Sequence, residues 1–173
     1  MKTKKTLFII PPERFNEVEL FYPQSILEGA GIKVTIGSTV AGDVIGDFNG
    51  KATAEVAISD VKIDEYDAVA VIGGSGTIDH LWDNEPLLQL LKQAHEQHIL
   101  VSGICAGSVS VVKTGLLNGR AGTCYPVDVM INELKSSHVE YVVQHVVKHN
   151  DIITSDGPDG AKDFGHSLVE ALA

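Results

Sequence analysis

One segment of the chain combines residue types and spacing that suit nucleophilic chemistry: Ser102-Gly103-Ile104-Cys105-Ala106-Gly107-Ser108. It follows the apolar run Ile99–Val101 and precedes Val109-Ser110-Val111-Val112-Lys113, whose pattern reads as a helix. Glycines two before and two after the central residue make Gly-x-Cys-x-Gly, the cysteine form of the nucleophile elbow. Such a turn forces the nucleophile into a strained conformation, and small neighbours avoid clashes. It also sets the thiol at a helix N-terminus, where the positive dipole end favours thiolate. The Ala106 N–H is expected to help bind an oxyanion, with a second donor from the Gly73-Gly74 turn. The competing reading of Cys105 is a buried, inert thiol; the elbow and its glycines favour the reactive one. Cys124, in Gly122-Thr123-Cys124-Tyr125-Pro126, has no such setting and reads as an incidental small residue.

Other chemistry-bearing residues are less pointed. Gly73-Gly74-Ser75-Gly76 follows a strand and reads equally as an anion-binding turn or a tight strand-to-helix connection. Of seven histidines, His80 follows that turn and is the candidate base. His95 and His98 share a helix face, but no carboxylate or cysteine ligand completes a metal site, so no metal is expected. His138, His145, His149 and His166 read as surface or strand positions. Pro11-Pro12-Glu13-Arg14-Phe15-Asn16 after the first strand lacks the glycines of a dinucleotide-binding turn, no Gly-Lys-Ser/Thr forms a Walker loop, and the paired acids of a phospho-receiver are absent. No cofactor is expected.

The elements that must position these residues alternate. Leu7–Ile10, Lys33–Ile36, Ala68–Ile72 and Ile99–Val101 read as buried strands. Helical patterns cover 16–28, 85–97, the segment after Cys105, and 162–172; Asn84-Glu85-Pro86 puts proline in a first turn, where no N–H is missed. Strands alternating with helices imply βαβ units and a mostly parallel sheet covered on both faces. Within 43–56, Phe48-Asn49-Gly50-Lys51 predicts a hairpin inserted after the second strand. Val139–Val147 and Ile152–Ser155 read as two further strands joined by His149-Asn150-Asp151. A length of 173 residues without repeat or linker predicts one domain over 1–173.

Composition narrows the partners. Thirteen Lys plus Arg against 23 Asp plus Glu give a net charge of −10, which argues against nucleic acid and against anionic lipid. Two cysteines do not make a disulfide framework. The apolar run after Met1-Lys2-Thr3-Lys4-Lys5 stops at Pro11, too short for a signal peptide, and no run approaches a membrane span. A soluble, cytoplasmic protein is the expectation.

The sequence resembles the ThiJ/PfpI superfamily over nearly its whole length. The resemblance rests on Phe15-Asn16-Glu17-Val18-Glu19-Leu20-Phe21-Tyr22-Pro23, Gly29-Ala30-Gly31-Ile32-Lys33-Val34-Thr35, Val71-Ile72-Gly73-Gly74, Gly103-Ile104-Cys105-Ala106-Gly107, Gly115-Leu116-Leu117-Asn118-Gly119-Arg120, Thr123-Cys124-Tyr125-Pro126 and Ile153-Thr154-Ser155-Asp156-Gly157-Pro158. It implies a three-layer, flavodoxin-like α/β sandwich with a cysteine at the elbow and a first-helix carboxylate. By position that carboxylate is Glu19, protonated and hydrogen-bonded to the Cys105 sulfur, tuning its reactivity and oxidation. Asn16 and Glu19 also fit a capping box that merely starts the helix, and Glu17 reads as a solvated helix residue. The histidine that follows the nucleophile in the protease-like branch is Ala106 here. The histidine before proline and the arginine before Gly-Pro in the deglycase branch are Tyr125 and Asp156. The resemblance implies an enzyme of small reactive carbonyls or their protein adducts, of glyoxalase or deglycase type, or a weak amidohydrolase. A redox-responsive stress protein or chaperone is the alternative, and an intracellular cysteine peptidase comes third. It also implies homodimers or larger homo-oligomers.

Overall fold

A computed structural model describes residues 2–173. In chain order the elements are β1 (Lys5–Ile9), α1 (Glu17–Gly29), β2 (Lys33–Ser38), β3 (Gly42–Ile45), β4 (Lys51–Ala54), β5 (Val56–Ala57), β6 (Ala68–Val71), α2 (Ser75–His80), α3 (Glu85–Glu96), β7 (Leu100–Ile104), α4 (Ala106–Lys113), β8 (Ala121–Gly122), α5 (Asp128–Ser136), β9 (Glu140–Tyr141), β10 (Val146–Lys148), β11 (Ile152–Ser155) and α6 (Ala161–Leu172).

Seven strands form the central sheet in the order β10-β11-β7-β6-β1-β2-β5. All pairings are parallel except β10 against β11. Continuous apolar strands demand cover on both faces: β6 and β7 are buried along their whole length. α1 packs on α6, while α4 packs with α2, α3 and α5, completing a three-layer α/β fold. The chain winds outward from β1 in one direction to β2 and in the other to β6, so the switch point lies between β1 and β6. In such sheets the crevice beyond the carboxyl ends of the strands at that point is where sites form. No helix among the described residues is long and apolar enough to cross a membrane.

The departures from sequence expectation are local. β7 runs on to Ile104, because Gly103 still pairs with Val71 and Ile104 with Ser155. The hairpin is present as β3 and β4, but Ile45 faces Lys51 across a five-residue loop, 46–50, with Asn49 left-handed at φ 65°. The stretch 139–147 is not one strand. Its start, β9, pairs with β8 in a separate small sheet, and Val143 stands 85% exposed before β10 begins. Helix α5, unforeseen in the sequence, starts at Asp128 after an N-cap residue, Val127, that has no capping side chain.

Candidate functional site

The loops after β1, β6, β7 and β11 meet beyond the carboxyl ends of their strands. Cys105 sits between β7 and α4 at φ 59°, ψ −122°, a conformation that costs a non-glycine residue about 1–3 kcal/mol and persists only where the surroundings impose it. Here they do. A Cβ on Gly103 would strike the Gly107 carbonyl, and a Cβ on Gly107 would overlap the Val71 carbonyl of β6. The turn can therefore lie against the sheet only with both glycines. Ser155 of β11 accepts the Cys105 N–H at 2.9 Å, and the Ser108 hydroxyl lies 2.9 Å from the carbonyls of both Gly103 and Ser155. Trp82 donates its indole N–H to the Ala106 carbonyl at 2.9 Å, fixing the first turn of α4.

Glu19 is wholly buried on α1. Its backbone N–H donates to the Asn16 side chain at 3.0 Å, so the expected N-cap is real. The reciprocal half of a capping box is missing, because the Asn16 N–H donates to the Gly73 carbonyl at 2.9 Å. The Glu19 side chain instead accepts the Gly73 N–H on Oε1 at 2.9 Å. Its Oε2 is buried without a hydrogen-bond partner, and the carboxyl lies against the Cys105 thiol. Gly73 separates the two side chains so narrowly that a Cβ there would lie 2.9 Å from the Cys105 Cβ and overlap Glu19 Oε1.

Burial dominates the electrostatics. It pushes Glu19 up to about 8, against the pull of the Cys105 and Gly73 contacts, and the charges of Asp47 and Asp156 push the same way. A pKa raised to about 8 favours the neutral carboxyl at neutral pH, the state that the resemblance implies for Glu19. Burial also raises the Cys105 thiol, and a charged Glu19 would raise it further; the Ala106 N–H pulls it down. The expected thiolate-favouring helix end is thus opposed by desolvation, and the Glu19 contribution vanishes once that carboxyl is neutral. Cys124 is fully buried, and desolvation alone pushes it up to about 12.

Both candidate centres open on a cavity of about 490 Å³ walled by Val18, Phe48, Ile78, Tyr125 and Met130. Gly74 lines it and its N–H has no acceptor among the described residues, while the Ala106 N–H is turned to the Cys105 sulfur. The Gly73 N–H is not available, since it is committed to Glu19. His80 does not line the cavity; its Nε2 lies 2.8 Å from Glu13 Oε2, so the candidate base has no access to Cys105. A larger hollow, about 960 Å³, lies at the opposite end of the sheet and contains none of these groups.

Nothing in the sequence marks how the hairpin loop is fastened over this cavity. Glu17, expected in solvent, accepts the N–H groups of Phe48 and Gly50 on Oε2, each at 2.8 Å. Asp47 accepts from the Ser75 N–H at 3.0 Å and the Ser75 hydroxyl at 2.6 Å. An acid two residues upstream of Asn49-Gly50 carries no local signal for such a contact.

A family model, DJ-1/PfpI, matches residues 4–171. The chain belongs to the DJ-1/PfpI family. An uncharacterized protein of Methanocaldococcus jannaschii is 37% identical over 172 residues, covering 99% of this chain and 84% of that one. Another, from Staphylococcus aureus, is 33% identical over 173 residues, covering 98% and 99%. Among solved structures, a ThiJ/PfpI domain protein of Brachyspira murdochii superposes with a TM-score of 0.94 at 29% identity, covering 99% of this chain and 98% of the other. Drosophila melanogaster DJ-1beta gives 0.88 at 28%, covering 99% and 91%. DJ-1/PfpI membership accounts for the parallel sheet, the helices on both faces and the small hairpin.

Proposed function

We propose that this DJ-1/PfpI protein is a cysteine-dependent enzyme of reactive carbonyls or their adducts, of glyoxalase or deglycase type. One observation carries the reading: a strained elbow cysteine and a buried, protonated carboxyl face the same apolar cavity across Gly73. The Cys105 sulfur attacks the aldehyde carbon of a 2-oxoaldehyde, forming a C–S bond while the carbonyl π pair moves to oxygen. The N–H groups of Gly74 and Ala106 steady that oxygen. Glu19 gives it a proton and takes the proton leaving the thiol, so a neutral hemithioacetal results. Transfer of the C–H proton to the neighbouring carbon, with the hydroxyl proton passing to that carbon's oxygen, yields a thioester, and water releases the 2-hydroxy acid and the thiol. No external oxidant or reductant is needed.

The same nucleophile and donors suit weak amide hydrolysis. Peptide cleavage is less well supported, since no histidine lines the cavity to protonate an amine leaving group. We place the enzyme in the cytoplasm as a homodimer or higher homo-oligomer, on family likeness. The test is turnover of methylglyoxal, a glycated peptide and a fluorogenic peptide by wild type, Cys105→Ser and Glu19→Gln. Loss of methylglyoxal turnover in Cys105→Ser is expected; unchanged turnover would sink the proposal.

The contrast between the two cysteines favours a second reading, a redox-responsive protein. Glu19 Oε2 and the Ala106 N–H stand ready to bind an oxidised Cys105 sulfur, whereas Cys124 is fully buried. Mild peroxide should give sulfinate at Cys105 alone by mass spectrometry. Equal oxidation of both cysteines, or of neither, counts against sensing.

A further inference from the structure

We propose that the Cys105 cavity selects neutral and cationic electrophiles and rejects anionic ones, with Asp47 and Asp156 setting that choice. The inference rests on the carbonyl reading for its biological meaning, and names the substrate class within it: uncharged 2-oxoaldehydes, or carbonyl adducts of amines that keep a positive charge, in preference to carboxylate-bearing carbonyls.

The geometry begins with Asp47, which lines the cavity and is held there by the two Ser75 contacts. Asp156 lies behind the opposite wall, at the turn through Gly157, where an added Cβ would sit 3.8 Å from the Cys105 Cβ. Its Oδ2 is 2.9 Å from His145 Nδ1, and its Oδ1 is buried without a partner. The two acids therefore flank the nucleophile from the hairpin side and the β11 side. Both act on the site already, since each raises the pKa of Glu19.

No cation compensates them inside. No lysine, arginine or histidine lines the cavity. Arg14 reaches the outer face of Ser75 at 3.0 Å, but Asp79 at 2.6 Å and Glu13 at 3.6 Å match its charge. His145 lines a different hollow with Lys148 and Glu170, and Asp156 raises its pKa, so it offsets that acid only where it is protonated and the charge ratio is read on the alkaline side of its titration. Glu17, under the loop, adds a further carboxylate. Asp47 is exposed at the rim and Asp156 is half-buried behind the wall, so their charge acts on approaching reagents through a partly solvated mouth and is read most clearly at low salt.

The test uses three methanethiosulfonates of similar size carrying 2-trimethylammonioethyl, 2-hydroxyethyl or 2-sulfonatoethyl groups. In each, the Cys105 sulfur forms an S–S bond, methanesulfinate leaves, and the thiol proton goes to buffer. Rates are read by intact mass at fixed pH and low salt, assigned to Cys105 by peptide mapping, and divided by the rates of 2-mercaptoethanol. The normalised cation-to-anion ratio should be about tenfold or more. It should fall by at least about threefold in Asp47→Asn and in Asp156→Asn, and hold in Glu96→Gln, an exposed acid at the far end of the sheet. If Asp47→Asn loosens the loop, all three reagents accelerate together and the ratio remains the readout; if it fails to fold, Asp156→Asn decides. A normalised ratio near one, or an equal change in all three variants, overturns the proposal. The exchange needs no carbonyl turnover, so the two readings fail separately. Turnover without a charge ratio removes only the selectivity, and a charge ratio without turnover removes only the carbonyl chemistry.

Discussion

The two ends of the central sheet handle charge in opposite ways. At the amino ends, Asp151 receives both Arg120 Nη atoms, at 2.8 and 3.0 Å, and His95 Nε2 at 2.8 Å. Asp67 takes the Lys5 N–H at 2.9 Å. The Arg120 contact holds the Asp151 carboxyl well below its ordinary range. At the carboxyl ends, Glu19 is buried with one oxygen unpaired, beside a thiol on a strained backbone, and its carboxyl is held above its range. One end gains stability from its acid, while the other gives stability up to keep an acid protonated next to a nucleophile. A larger hollow at the stabilising end makes the point sharper, because size alone picks the wrong end.

The comparison can be broken by substitution. The largest effect is expected from Gly107→Val: overlap with the Val71 backbone allows no side-chain escape, so the elbow cannot close and soluble yield should collapse. Glu19→Gln should act the other way. Wild-type stability should fall as pH rises from about 4.5 and level off above about 8, because the unfolded chain releases a proton that the fold retains. The variant lacks that cost. It should be more stable by on the order of 3 kcal/mol at pH 7 and indistinguishable below pH 4, by urea titration across pH.

Asp151→Asn should show the opposite signature. A depressed carboxyl stabilises the fold above its unfolded pKa of 3.8 and loses that contribution as pH falls. With the side chain 38% exposed, solvent screening limits the loss to about 1 kcal/mol at neutral pH, fading in acid. Smallest of all, Lys4→Met removes a 4.0 Å surface pair and should change stability by less than about 0.5 kcal/mol.

What the sequence disclosed tracks the range of the interaction responsible. The elbow was legible because its requirements sit within five residues: two glycines and a cysteine between a strand and a helix. The four main strands and the parallel sheet were legible from short apolar runs. Glu19 was half legible. Its N-cap is local and correctly read, but the choice between closing a capping box and reaching Gly73 depends on β6, 54 residues away. Asp47, Glu17, Ser155 and Trp82 act through contacts 24 to 47 residues long, and nothing in their own neighbourhoods marks them. His80 misled because adjacency to a glycine turn in sequence does not place a side chain at the site. The 139–147 run misled because β-branched residues signal an extended backbone without naming a partner strand.

The bond from Trp82 to the Ala106 carbonyl has an optical consequence. Trp82 is the only tryptophan in the chain, and it is 6% exposed. Excited at the red edge of the indole band, where the four tyrosines do not absorb, the protein therefore emits from one indole, hydrogen-bonded to the residue beside the nucleophile. Ligand entry, thiol modification or opening of the elbow can each be followed on the unlabelled protein as a change in that single emission band.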